Sequence, residues 1–180
     1  MTWEFQPFGS YGPLRFGMTR TQVVDLLGNP KEEYNSFRKL EPYLDQELHG
    51  PHYIDLLKRS TMLTFGDSDR NNQRPEVGFL DGRLDEIYLR AKTGVLFVNG
   101  VNVLGNDRPE IIVALAQKEK IMLFSGASYY FEDVGVRITA PKFWRKEGSI
   151  SLYSREGFDK QMDLDGPYEY APDEITGRES

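Results

Sequence analysis

The chain contains no cysteine. That single absence removes disulfides, thiolate metal sites, a cysteine nucleophile and a lipid-bearing cysteine. Histidine is nearly as scarce, with two in 180 residues, so an imidazole base or ligand can come only from His49 or His52. No apolar run approaches the roughly 20 residues of a membrane-spanning helix. The opening MTWEFQPFGSYG lacks the basic stretch followed by an apolar run that marks a secretory signal. The expectation is a cytoplasmic protein with no membrane partner. Phosphate-cradling glycine loops are missing too, and no G-x-S-x-G elbow frames a serine, Ser125 in FSGAS included.

Basic excess is also absent. The net charge of -6 argues against nucleic acid as a partner, because such affinity comes from neutralising phosphates with Lys and Arg. The charge is unevenly placed: Glu156 to Ser180 holds eight acids against Lys160 and Arg178, which leaves residues 1 to 155 balanced.

What the chain does have is core material, 39% hydrophobic and 13% aromatic residues, enough for a globular domain. The clearest local signal is LRFGMTRTQVVDLLGNP at 14 to 30. Thr19 is placed to cap a helix, with Gln22 completing a capping box and Met18 stapling onto Val23. Gly28 and Pro30 stop it. Val23, Leu26 and Leu27 are its expected apolar face. A helix this short is marginal alone, so it must pack on something.

The pattern recurs. FGMTRTQVVDLLG at 16 to 28 aligns with LGNDRPEIIVALA at 104 to 116, sharing glycine, capping residue, arginine and apolar pair. Strand candidates follow each copy. STMLTF (60 to 65) and VGFLDGRLDEIYLRA (77 to 91) carry an Asp81-Gly82 turn, and IMLFS, SYYFEDVGVRITA and GSISLYS follow the second copy. Between the halves, VLFVNGVNVL turns on Asn99-Gly100. The first half carries about 22 extra residues around RKLEPYLDQELHGPHYIDLLKRS, read as an added helix or ordered loop. The expected fold class is α+β: two tandem helix-plus-antiparallel-meander units, 8 to 95 and 96 to 154, sharing a curved sheet in one domain over 1 to 154. An acidic C-terminal extension, 155 to 180, completes the chain.

The string LRFGMTRTQVVDLLGNP resembles the opening helix of the BamE-like or beta-lactamase-inhibitor-protein-like fold. It also resembles small bacterial cytoplasmic proteins encoded beside polymorphic toxins as their immunity proteins. The resemblance implies a curved sheet with helices on one face and a partner protein gripped by the other face or its loops. Without a lipidation cysteine or signal, the chain departs from the lipoprotein branch, and the cytoplasmic branch remains. The function implied is a non-enzymatic immunity protein that occludes the active site of a cognate toxin. Alternatives are a small metal-dependent hydrolase using the His49/His52 loop, and an adaptor for another protein.

Chemical motifs are weak. His49-Gly50-Pro51-His52 has ligand-like spacing, but Gly50-Pro51 reads as a turn that does not align the two rings. GDSDRNNQRPE (66 to 76) opens like a calcium loop, but lacks the glycine and final glutamate that such a loop needs. No catalytic, cofactor or metal residue is assigned, and no cofactor is expected. The candidate partner-binding residues fall in three groups. Asp45, Glu47, His49 and His52 sit in the insertion. Tyr130 and Trp144 belong to the aromatic segments, with Tyr130 expected to face the side opposite Tyr129 and Phe131. Asp163, Asp165, Tyr168, Glu169, Tyr170, Asp173 and Glu174 belong to the acidic segment, whose charge suits a toxin with a basic surface. That segment either packs on its own domain or a partner, or stays solvated.

Overall fold

The computed structural model describes residues 4–44, 50–65, 75–90, 97–98, 100–102, 122–125, 128–139, 149–165 and 169–170. The helix expected at 104 to 116, the calcium-like loop at 66 to 74 and Trp144 lie outside the described residues.

The first helix, α1 (Arg20–Leu27), forms as its sequence dictates. Thr19 Oγ1 accepts from Gln22 N–H, the Gln22 side chain accepts from Thr19 N–H at 2.9 Å, and Gly28 ends the helix at φ 84°. Val23 and Leu27 are buried. Leu26 is not: it stands 47% exposed. At 100° per residue, the stripe through Val23 and Leu27 leaves Leu26 on its solvent-facing flank.

The main sheet is antiparallel throughout, and its strands are β4 (Glu32–Asn35), β5 (Ser60–Thr64), β6 (Glu76–Leu80), β7 (Arg83–Arg90), β10 (Met122–Ser125), β11 (Ser128–Phe131), β12 (Val136–Thr139), β13 (Ser149–Tyr153) and β14 (Glu169–Tyr170). Their spatial order is β14-β10-β11-β12-β13-β7-β6-β5-β4. Two four-stranded meanders, β4 to β7 and β10 to β13, are thus joined where β7 pairs antiparallel with β13. A small three-stranded sheet holds β1 (Phe5–Gln6), β2 (Ser10–Tyr11) and β3 (Leu14–Arg15), and β8 (Phe97–Val98) pairs with β9 (Val101–Asn102) across Gly100. The architecture is α+β.

Both hairpin signals hold for the same reason. Asp81 and Gly82 take φ of 50° and 74°, the two consecutive left-handed residues that a tight turn between twisted strands demands. Gly100 likewise has φ 78°.

Register lines up one apolar row across six strands: Leu63, Val77, Ile87, Leu152, Val136 and Phe131. Each is fully buried. Val23 and Leu27 of α1 and Tyr11 and Leu14 of the small sheet join the same core. At roughly 1.5–3 kcal/mol per buried aliphatic side chain, this face is the main source of stability. Gly17 N–H donates to Leu84 O and Leu84 N–H to Met18 O, both at 2.8 Å, so the segment leading into α1 is stitched to the start of β7.

The insertion forms α2 (Ser36–Leu40), a short 3-10 turn (Glu41–Tyr43) and α3 (Pro51–Arg59). Gly50-Pro51 is not a free turn, as the sequence suggested. Gly50 is the N-cap of α3 and Pro51 its first residue, because proline's fixed φ and missing N–H suit that position. Leu56 anchors α3 in the interior.

The last described helix is α4 (Arg155–Asp165). Four successive antiparallel pairings make β13 and β14 parallel, so α4 is a crossover connection between them. Of the fates expected for the C-terminal segment, packing on its own domain holds for 155–165 and 169–170. Among the described residues no helix is long and apolar enough to cross a membrane.

Candidate functional site

The side of the sheet opposite the apolar core is polar. Strand alternation and pairing place Glu86 opposite Tyr153, Tyr88 opposite Ser151, Ser151 opposite Arg137 and Arg137 opposite Tyr130. One additional feature concentrates charge there. A bulge between β6 and β7 pairs Gly78 with Glu86 and Phe79 with Leu84, leaving Asp85 unpaired. The extra residue breaks alternation, so Asp85 and Glu86, neighbours in sequence, both leave the apolar side that Leu84 and Ile87 occupy.

Burial sets the electrostatics. Burial pushes the Glu86 carboxyl up from its ordinary range, while hydroxyl donation from Ser151 and Tyr153 and the charge of Arg137 pull it partly back. Burial raises the Tyr153 phenol well above its ordinary value, and the Glu86 charge adds to that, so this hydroxyl stays protonated and donates. Arg137 spans the cluster: its Nε donates to Ser128 Oγ at 3.3 Å, and its guanidinium stands 5.6 Å from the Tyr130 ring centre. Asp85 is raised chiefly by burial, against the Ser154 hydroxyl and the Lys160 charge, which lower it.

α4 closes over this cluster. Ser154 caps it: Ser154 Oγ accepts from Gly157 N–H at 2.9 Å and donates to Asp85 Oδ1 at 2.5 Å. Phe158, fully buried, stands edge-on to Phe8, Tyr130 and Tyr153, with ring centres 6.3, 6.2 and 6.0 Å away. Phe8, at φ 55°, stacks 3.6 Å beneath the Arg155 guanidinium and packs on Gly135. Phe8 thereby ties the small N-terminal sheet to the start of α4. On the outer side of α4, Glu156 and Asp159 are exposed, and Glu156 Oε1 accepts from Lys160 Nζ at 2.7 Å.

The expected site residues are scattered by this arrangement. Tyr130 does point opposite to Tyr129 and Phe131, as alternation required, but it is 1% exposed under Phe158. The expected outward aromatic patch is therefore not built on it. Asp163 and Asp165 fall in the last turn of α4, and Glu169 and Tyr170 constitute β14, pairing with Phe124 and Leu123. His52 is exposed on the first turn of α3. The strand order puts the insertion beside β4 and β5 and puts β14 beside β10, at opposite edges of the sheet, while α4 packs on β13 and β7 between them. Asp45, Glu47, His49, Trp144, Tyr168, Asp173 and Glu174 lie outside the described residues. Among the described residues no three His, Asp or Glu side chains gather as a metal site.

Sequence reasoning missed Asp85, Glu86, Ser151, Ser154 and Arg137. The available signal was the pair Asp85-Glu86 inside an otherwise apolar strand, LDEIYL. Comparison with protein-family models, with curated proteins and with solved structures gives no match.

Proposed function

We propose that the chain is an immunity protein, a non-enzymatic inhibitor that binds a cognate bacterial toxin in the cytoplasm and occludes its active site. The observation carrying this reading is the outer side of α4, where Glu156 and Asp159 are exposed on a helix anchored to its own sheet by Phe158. Exposed carboxylates on a helix fixed to its sheet, Asp159 and the Lys160-paired Glu156, suit a basic protein surface, because complementary charge speeds encounter and selects among partners. The resemblance of residues 14 to 30 to toxin-neighbouring immunity proteins points the same way. The two meanders joined at β7 and β13, together with the recurrence of the α1 motif at 104 to 116, support a tandem-unit origin for the sheet.

The test is co-expression with the protein encoded immediately upstream, scored by growth rescue and co-purification. Rescue through a tight complex is the expected result. Glu156→Lys combined with Asp159→Lys should then weaken the complex and flatten its salt dependence. Absence of both complex and rescue would overturn the reading.

A further inference from the structure

We draw no further inference here: the strongest candidate, the row of hydroxyls that Ser128, Thr139 and Ser149 form across β11, β12 and β13 beside Arg137 on the polar face of the sheet, carries nothing because Ser128 and Ser149 are buried and nothing in the structure shows what covers them.

Discussion

A β-carbon at Gly157 would stand 2.6 Å from both carboxylate oxygens of Asp85, 72 positions earlier in the chain, so the space at each position is set by the other. In an open helix, replacing glycine by alanine gains about 1 kcal/mol. Here the new methyl meets a half-buried acid already engaged by Ser154. Gly157→Ala should therefore cost about 1–3 kcal/mol, the usual scale of overpacking. In an Asp85→Ala background the same substitution should be neutral or stabilising. Urea unfolding of the four proteins gives the coupling directly, and additive effects would contradict the contact.

Glu86 gives the stability of the protein a particular pH dependence. Burial holds its carboxyl above the ordinary range, so the folded state binds this proton more tightly than the unfolded chain. The associated stability is fully present below the unfolded pKa, about 4.3, and is lost as pH rises through the folded value. Glu86→Gln removes that loss. The Tm of the variant minus that of the parent should become more positive from pH 4.5 to pH 8. The opposite trend would mean that Arg137 and the two hydroxyls outweigh desolvation.

Phe158 is the principal anchor of α4, enclosed by Phe8, Tyr130 and Tyr153. Its truncation to alanine should cost about 3–5 kcal/mol in equilibrium unfolding. Phe158→Leu, which keeps most of the volume but none of the edge-on ring contacts, should cost clearly less. Equal losses would assign the anchoring to ring geometry rather than to filled space.

Neighbouring leucines in α1 separate local from tertiary information. Leu27 is 6% exposed and Leu26 47%. Leu27→Ala should cost about 2–5 kcal/mol, whereas Leu26→Ala should fall within about 0.5 kcal/mol of the parent, as surface substitutions do. Thermal unfolding of the pair distinguishes them without further assumption.

What could be read in advance follows this same division. The ends of α1 and the Asp81-Gly82 and Gly100 turns are set by residues adjacent in sequence, through caps and left-handed φ, and they were legible. Alternation likewise placed Tyr130 opposite Phe131. It could not reveal that both sides would be buried, because the cover is Phe158, supplied by a helix further along the chain. The acid-rich composition of that helix resembles a solvated tail, and only its packing on Tyr130 and Tyr153 makes it an integral element. The Asp85–Glu86 seat was hidden for another reason: a bulge shifts the parity by which a strand's faces are assigned. β4, with Glu32 and Glu33 at its start, is an edge strand whose charges are tolerated because one side has no neighbouring strand in the sheet.

Asn35 joins that edge strand to the insertion, and its two ends do different work. The Oδ1 atom accepts from Arg38 N–H at 3.3 Å and caps α2, while Nδ2 donates to Lys58 O at 2.8 Å and Ser60 O at 3.0 Å, where α3 runs into β5. Asn35→Asp keeps the acceptor that the cap needs but sets a carboxylate against two carbonyl oxygens. Asn35→Ala loses cap and donors together without adding repulsion. A cap alone is worth about 1 kcal/mol, and a lost hydrogen bond leaving a group unsatisfied costs about 1–3 kcal/mol. If the donor end dominates, Asn35→Asp should destabilise at least as much as Asn35→Ala at pH 7 and should recover as the new carboxyl is protonated below pH 4. If Asn35→Asp instead matched the parent at pH 7, the capping of α2 would be the only contribution this side chain makes.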